Sequence, residues 1–362
     1  MKILYLPPIA YGDLKQRPQY LAEELARYHQ VLYLDPTVSL MKFLLKGGGV
    51  PRGYHYQVNE NLEVRRLSGI LSAHRSFDAL WRGFCIPERF QLSQYLRGAD
   101  AVWIGYAPWY DLIPAFRGIV IYDKMDENAE ITQNPLLRRL IERTERELVA
   151  RADHLFVTAH LFYDCFRLAG LHPVLVPNAV ERQQALRSYH SEYRRMSDSI
   201  TFGYVGMISN WFDLDAVQTI LDANPRNRVV LVGPSEIDLP HHDRLKIVGR
   251  VSKEQVGAWI EEFDVCLYPF RKMPLLDTIN PVKLYEYLAA NKPVLAVNSR
   301  ELEKFKYCIF CYDTPAQLRA LATQNRWTPP FADENTRREF INRNDWKSGG
   351  NIILEELRHE SA

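Results

Sequence analysis

Short apolar runs alternate with helical stretches from the first residues of the chain. Met1–Leu6 has the composition of a buried strand, and the segment RPQYLAEELARY after it places Leu21 and Leu25 on one face of a helix. A second apolar run, Gln30–Leu34, follows. This strand, helix, strand order predicts a parallel sheet covered by helices. Because open parallel sheets hold ligands at the carboxyl ends of their strands, the residues that follow each strand are the first candidates for a site.

Size and composition narrow the class of protein. The 362 residues are enough for two domains, and 47% hydrophobic with 25% charged residues indicates a globular chain. A formal net charge of +1 gives no reason to expect a nucleic-acid partner. The five cysteines are scattered, which suits a reducing cytoplasm. The first apolar run is broken too soon for a signal peptide, and no run is long enough to cross a bilayer.

The stretch Asp277–Val297, DTINPVKLYEYLAANKPVLAV, carries the most specific pattern. Asn280 is predicted as a helix N-cap, with Pro281 in the first helical position. Lys283 lies in the first turn, where the helix dipole disfavours a cation unless an anion is bound there. Glu286 lies one turn on and on the same side, placed to accept hydrogen bonds from ligand hydroxyls. A ligand with both a phosphate for Lys283 and a diol for Glu286 would be a nucleotide-sugar. The alternative is that the two residues form an ordinary surface ion pair.

Acidic residues follow a predicted strand in the first half of the chain. The strand Gly118–Tyr122 runs directly into Asp123 and Asp126. A carboxylate at such a strand end could deprotonate an acceptor hydroxyl. For Asp126, capping of the next helix is the alternative. Arg17, after the first strand, could contact an acceptor or a phosphate, or could be a solvated residue at a helix start.

Two glycine-containing turns follow predicted strands in the second half. Gly206 comes after Ile200–Val205 and lets backbone amides approach a phosphate closely. Gly233, with Pro234, forms another strand-end turn at the same edge. The nearby Asp213-Leu-Asp215 imitates a DxD metal motif, but its position at a helix start indicates capping.

The segment NPVKLYEYLAANKPVLA resembles the donor-site helix of GT-B glycosyltransferases, and most of all the family-4-like, TuaH-type group. The segments IYDKMDE, VPNAV and VGMI carry a weaker similarity, so that the resemblance covers most of the chain. It implies an α/β fold of two Rossmann-like domains, with parallel sheets facing a central cleft and a C-terminal helix that crosses back to the N-terminal domain. The expected parts are an acceptor-binding domain 1–180, a polar linker 181–199, a nucleotide-sugar-binding domain 200–335 and a tail 336–362 that packs on the first domain.

The resemblance also implies roles for single residues. In such enzymes the basic residue of the donor helix meets the diphosphate and the glutamate meets the ribose, which assigns Lys283 and Glu286. The other implied donor-binding residues are Gly206, Met207, Gly233, Pro234, Arg250, Val251, Thr278, Ile279 and Asn280. The implied acceptor-binding residues are Gly12, Arg17 and Tyr106, and the catalytic candidates are Asp123, Asp126 and Lys283, with no metal. Thr278 stands where retaining members carry a second glutamate, which leaves the stereochemical outcome open.

The implied activity is hexosyl transfer from a nucleoside-diphosphate sugar to a hydroxyl of a glycan or lipid-linked glycan, in polysaccharide or glycoconjugate biosynthesis, without a metal or other cofactor. A sugar-nucleotide 2-epimerase of the same fold and a non-catalytic sensor or scaffold are the alternatives. Segments 38–52 and 75–84 mix basic with aromatic or leucine residues. This pattern is typical of a membrane interface, and buried helices are the alternative. We therefore expect a cytoplasmic protein with possible peripheral contact to the inner leaflet.

Overall fold

A computed structural model describes residues 1–12, 15–36, 54–67, 86–113, 116–187 and 199–359. The chain divides into two compact units. Unit 1 comprises Met1–Pro177 and the chain from Gly349 on, and unit 2 comprises Asn178–Ser348. The segments 38–52 and 75–84, on which the membrane prediction depends, lie outside the described residues, as does most of the predicted linker.

Unit 1 is built on an eight-stranded sheet in the order β3-β4-β2-β1-β5-β6-β7-β8. All neighbouring strands are parallel except the β3–β4 hairpin. Its strands are β1 (Lys2–Leu6), β2 (Gln30–Asp35), β3 (His55–Asn59), β4 (Leu62–Arg66), β5 (Ala101–Ile104), β6 (Ile119–Lys124), β7 (His154–Val157) and β8 (Pro173–Leu175). Its described helices are α1 (Arg17–Leu25), α2 (Ile86–Leu96), α3 (Asn128–Ile131), α4 (Pro135–Arg151) and α5 (His160–Leu168). A 3-10 helix, Ala107–Leu112, follows β5.

Four stacked aromatic rings cross this sheet. Tyr33 stacks on Tyr5, Tyr5 on Trp103 and Trp103 on Phe156, with ring centroids 5.3, 5.5 and 5.3 Å apart. The four side chains are fully buried. Large rings in offset contact contribute both buried area and a specific geometry. The stack therefore fixes the relative positions of strands whose carboxyl ends carry the candidate residues of unit 1.

Unit 2 is built on a six-stranded parallel sheet in the order β11-β10-β9-β12-β13-β14. Its strands are β9 (Ile200–Val205), β10 (Asn227–Val232), β11 (Leu245–Gly249), β12 (Val265–Tyr268), β13 (Val294–Val297) and β14 (Phe310–Tyr312). Its helices are α6 (Arg182–Arg187), α7 (Leu214–Ala223), α8 (Lys253–Glu262), α9 (Val282–Ala289), α10 (Pro315–Ala322) and α11 (Glu334–Arg343). The 3-10 helices Pro274–Thr278 and Arg300–Phe305 flank α9 and β13. The strand order changes direction between β9 and β12, which is the point where open α/β sheets hold ligands.

The prediction of two domains with parallel sheets is confirmed, but several boundaries differ. Part of the predicted linker forms helix α6 and packs on unit 2. Ala185 of this helix is buried, and its carbonyl accepts a hydrogen bond from the buried Arg337 at 3.0 Å. Arg337 belongs to α11, which lies in unit 2 although it falls within the predicted tail. The last described helix, α12 (Trp346–His359), begins in unit 2, and its residues from Gly349 on belong to unit 1.

Within the described part of the chain, no helix combines the length and the apolar composition that a membrane span requires.

Candidate functional site

Two glycines bring the carboxyl ends of β9 and β10 into close contact. Gly233 has φ +142°, and a Cβ there would lie 1.9 Å from the Gly206 carbonyl oxygen. A Cβ on Gly206 would lie 2.5 Å from the Tyr204 hydroxyl oxygen. A larger residue at position 233 would therefore push the two backbones apart, and one at position 206 would displace the Tyr204 side chain. The close backbone packing requires glycine at position 233.

The same contacts change one predicted role. We expected backbone amides of the Gly206 loop to bind phosphate, but the Gly206 amide donates to the Val232 carbonyl at 2.9 Å and the Ile208 amide to that of Pro234 at 2.9 Å. Both donors are used by the protein itself. Met207, between them, is 43% exposed. The loop links the carboxyl ends of β9 and β10 by backbone hydrogen bonds. The cationic groups of the candidate site come from other elements.

Helix α9 supplies those groups. Its apolar face, including Leu284, Tyr285 and Leu288, is fully buried in the core of unit 2, and Lys283 and Glu286 lie on the less buried face. On that face the ammonium of Lys283 lies 2.8 Å from Glu286 Oε2, and the side chains are 30% and 11% exposed. The predicted one-turn relation between these residues is present in the structure.

A second lysine, which the sequence analysis missed, completes this arrangement. Lys253 begins α8, and its ammonium lies 3.1 Å from Glu286 Oε1. Burial alone raises the pKa of Glu286, but Lys283 and Lys253 outweigh it and lower the pKa to about 2. Glu286 is therefore an ionised acceptor held between two cations, and the group of three carries a net positive charge. An isolated surface ion pair would have one cation and a more exposed carboxylate.

Asn280 does not cap α9, contrary to the prediction. The N-cap is Pro281, without a side-chain cap, and the Asn280 side chain is used elsewhere. Asn280 Oδ1 accepts from the Asn178 amide at 2.9 Å, and its Nδ2 donates to the buried Glu301 carboxylate at 3.0 Å. The Asn178 side-chain amide in turn donates to the Asn280 carbonyl at 2.7 Å. Asn280 thus fixes the start of α9 to the chain segment that opens unit 2.

The other predicted donor residues lie at the same edge with differing exposure. Thr278 is 8% exposed, and its hydroxyl donates to the Leu275 carbonyl at 2.7 Å, so the hydroxyl is already engaged. Pro234 and Arg250 are exposed, and Val251 and Ile279 are partly buried. Pro234 follows β10, Arg250 and Val251 follow β11, and Ile279 precedes α9. They provide accessible surface beside the lysine-flanked carboxylate.

The prediction that Asp213 caps a helix is confirmed. Its Oδ1 accepts from the amides of Asp215 and Ala216 at 3.0 and 3.1 Å.

In unit 1, two candidates are paired with each other in the core. Arg17 and Asp123 are 4% and 0% exposed, and the Arg17 Nη2 lies 2.8 Å from Asp123 Oδ1. Arg17 Nη1 also donates to the Val176 carbonyl at 2.7 Å. We expected Asp123 just after a strand, but β6 extends through Lys124, and Asp123 is in register with Phe156 of β7. The pair joins α1, β6 and the segment that follows β8, and both side chains are enclosed by protein.

Asp126, three residues further on, differs from Asp123 in its exposure. Its side chain is exposed. Although its surface is accessible, the protein groups around the carboxyl reduce its hydration and raise its pKa, while the nearby Arg17 and Lys124 act in the opposite direction. The alternative that Asp126 caps the next helix finds no support, because the N-cap of α3 is Glu127 and it makes no side-chain cap hydrogen bond. Of the two predicted carboxylates, Asp126 is the one accessible to a reactant.

Aromatic residues at the carboxyl edge of β2 were not predicted. We call Tyr11, Tyr54 and Tyr56 the tyrosine cluster. The Tyr54 hydroxyl donates to Asp35, the Tyr11 amide donates to Asp35 at 2.7 Å, and the Tyr56 hydroxyl donates to the Tyr11 carbonyl at 2.9 Å. The Arg66 guanidinium lies 4.3 Å from the centre of the Tyr54 ring. The cluster depends on contacts between β2, β3 and β4, so local sequence gave no signal for it.

The predicted acceptor residues Gly12 and Tyr106 differ in accessibility. Gly12 is exposed beside the tyrosine cluster, whereas Tyr106 is 7% exposed and begins the 3-10 helix after β5. Burial raises the pKa of the Tyr106 hydroxyl.

Comparison with solved structures decides the fold. The chain aligns over 99% of its length with 99% of sucrose-phosphate synthase from Thermosynechococcus elongatus, with TM-score 0.65 and 14% identity. It aligns equally completely with Anabaena HepE in complex with UDP and glucose, with TM-score 0.68 and 14% identity. The alignment with a UDP-forming trehalose-phosphate synthase from Burkholderia xenovorans covers 100% of this chain and 99% of that one, with TM-score 0.66 and 12% identity.

The chain has the GT-B fold of glycosyltransferases. Among curated proteins it is similar to a putative teichuronic acid biosynthesis glycosyltransferase, TuaH, of Bacillus subtilis, with 25% identity over 183 residues. That match covers 47% of this chain and 46% of TuaH, so it spans about half the length of the relative. No family model matches the sequence. Within the GT-B fold, the lysine-flanked carboxylate lies in the second of the two Rossmann-like units and the exposed Asp126 in the first.

Proposed function

We propose that this GT-B protein transfers a glycosyl group from a UDP-sugar to a hydroxyl of a glycan or lipid-linked glycan, in polysaccharide or glycoconjugate biosynthesis. The observation that carries the proposal is Glu286, ionised between Lys253 and Lys283, of which Lys283 lies in the first turn of α9. Lys283 supplies positive charge for a diphosphate, and the Glu286 carboxylate accepts hydrogen bonds from a ribose. HepE, of similar fold, is known in complex with UDP and with UDP-glucose, which supports uracil as the base.

In this proposal Lys283 acts on the leaving group. Cleavage of the bond between the sugar and the diphosphate leaves negative charge on the diphosphate, and a cation fixed in advance stabilises that charge most in the transition state. Lys283 also lies in the first turn of α9, where the helix dipole favours an anion. The proposal assigns charge stabilisation to these groups and includes no metal. Glu286 orients the nucleoside and takes no part in bond cleavage.

Asp126 is the proposed general base. If the transfer inverts configuration, a base must remove the acceptor hydroxyl proton as that oxygen attacks the sugar. Asp126 is the accessible carboxylate of unit 1, and the tyrosine cluster at the same sheet edge offers ring faces and an exposed Tyr56 to an acceptor sugar. Arg17 and Asp123 then serve to hold β6 and α1 in place beneath it.

Replacing Asp126 with Asn should lower kcat by about 10²- to 10⁴-fold with little change in donor affinity. A base must be deprotonated, so wild-type kcat/KM should fall as pH falls through the pKa of Asp126. Because that pKa is raised, the fall should occur above the range of an ordinary aspartate. Asp126→Glu should keep part of the activity. A variant D126N with wild-type kcat and an unchanged pH profile would exclude Asp126 as the base.

The activity itself is tested by UDP release. We expect UDP to appear from UDP-glucose or a related UDP-sugar only when a glycan acceptor is added, with the glycosylated acceptor seen by mass spectrometry. An epimerase of the same fold would convert the donor in the absence of any acceptor. Conversion of the donor alone, or binding without turnover over a broad panel of donors and acceptors, would contradict glycosyl transfer.

We also propose peripheral contact with the cytoplasmic face of a membrane. Supporting it, Ile86 and Phe90 on α2 are 63% and 64% exposed and lie one turn apart, with Arg89 between them in sequence. Apolar side chains beside a cation are typical of a surface that contacts lipid headgroups. A lipid-linked acceptor would be presented at that surface.

A further inference from the structure

Lys253 and Lys283 divide the two oxygens of Glu286 between them. Lys253 Nζ lies 3.1 Å from Oε1, and Lys283 Nζ lies 2.8 Å from Oε2. The lysine side chains are 22% and 30% exposed, so all three groups are partly shielded from water. The lysines come from different helices, α8 and α9. Loss of one lysine from Glu286 therefore leaves the other contact in place.

The position of Lys253 in its own helix is unfavourable without Glu286. It is the first residue of α8, where the helix dipole disfavours a cation. The start of α8 is fixed by a capping box between Ser252 and Gln255, which holds the lysine backbone in place. The Glu286 carboxylate compensates for the unfavourable dipole. The helix start thus fixes the backbone of Lys253, and its contact with Glu286 does not involve Lys283.

The Glu286 carboxylate keeps hydrogen-bond acceptor positions that the two lysines do not use. An ionised carboxylate accepts about four hydrogen bonds, and the lysines use two. The remaining positions are open to a ligand hydroxyl, such as the 2′-hydroxyl of a ribose. When a diphosphate binds near Lys283, the ammonium of that lysine can turn from Glu286 to the phosphate oxygens. Lys253 is then the cation that stays with Glu286.

Building on the proposed function, we propose that Lys253 is a positioning residue that holds Glu286 in place for the 2′-hydroxyl of the nucleotide, and so sets the preference for ribonucleotides over deoxyribonucleotides. Lys253 acts through Glu286 and contacts neither the sugar nor the diphosphate. Its loss should therefore affect ligands with a 2′-hydroxyl and spare those without one.

The test is calorimetric titration of UDP and 2′-deoxy-UDP into the full chain. Wild type should bind UDP about tenfold or more tightly than 2′-deoxy-UDP, the effect of one hydrogen bond to a charged acceptor. Lys253→Met should lose most of that preference through weaker UDP binding, with 2′-deoxy-UDP affinity within about twofold of wild type. Lys253→Arg, which keeps the cation, should restore it. In turnover, Lys253→Met should raise KM for the UDP-sugar and leave kcat nearly unchanged.

The control is Lys246→Met, because Lys246 is an exposed lysine of β11 whose ammonium lies 4.9 Å from the centre of the Trp259 ring. This variant should keep the wild-type preference. Unchanged preference in Lys253→Met, or equal loss of affinity for both nucleotides, would overturn the role of Lys253 while leaving UDP binding intact. Equal binding of the two nucleotides by wild type would also overturn it. Failure of wild type to bind UDP at all would overturn the proposed function and this inference with it.

Discussion

Lys283→Ala is expected to lower the rate of glycosyl transfer by about 10²- to 10³-fold, the usual effect of removing one group that stabilises charge in a transition state. The ammonium is the cation in the first turn of α9, and no backbone amide of Gly206 can replace it, because that amide donates to Val232. The lost activity should appear mainly in kcat, since the charge on the diphosphate develops as the bond to the sugar breaks. The measurement is UDP release at saturating donor and acceptor.

A matched control separates this effect from the loss of an ordinary ion pair. Lys306 pairs with Glu303 at the same three-residue spacing. It precedes β14, whereas the candidate residues follow the carboxyl ends of strands. Lys306→Ala should keep wild-type turnover. Circular dichroism should show both variants folded, because the side chains of Lys283 and Lys306 are 30% and 47% exposed. Wild-type turnover in Lys283→Ala would remove the proposed role of this residue.

Arg17→Ala should destabilise unit 1 by about 3–5 kcal/mol. The substitution leaves the Asp123 carboxylate with 0% exposure and without its cationic partner, and it also removes the hydrogen bond to the Val176 carbonyl. Breaking one side of a buried ion pair costs more than the net stability of the pair, because the remaining charge keeps its desolvation penalty. The measurement is the free energy of unfolding from a urea titration followed by far-ultraviolet circular dichroism.

Two further variants make this expectation specific. Arg17→Met combined with Asp123→Leu removes both charges and should be less destabilising than the sum of the single changes, because no unpaired charge remains. Arg27→Ala removes an exposed partner of Glu24 just beyond α1 and should cost no more than about 1 kcal/mol. Additive single changes, or a cost for Arg17→Ala as small as that for Arg27→Ala, would show that the pair does not support unit 1.

The parts of the fold that depend on local pattern could be predicted from the sequence. Apolar runs predicted β1, β2, β6 and β9, and the turn glycines Gly206 and Gly233 were found because they follow such runs. The spacing of Lys283 and Glu286 was enough to place them on one face of α9. In each case the decisive contacts lie within a few residues of each other or within one helix.

The errors involve partners that are distant in sequence. Asn280 was predicted to cap α9, but its side chain binds Asn178, which lies 102 positions away. Arg17 and Asp123 were assigned separate roles, although they pair with each other across 106 positions. Lys253 was missed because nothing around it indicates Glu286, 33 positions further on. A polar side chain can pair with a nearby or a distant residue, and the local sequence does not distinguish the two. The partner is known only from the folded structure.

The central claim is that the charged group at the start of α9 binds a nucleoside diphosphate. Calorimetric titration of UDP into wild type and into Lys283→Ala tests it most directly. We expect saturable binding to wild type with one site per chain, and an affinity at least about tenfold lower in the variant, as for loss of a hydrogen bond between charged groups. Absence of UDP binding to the wild type, or identical affinities in the two proteins, would contradict the claim.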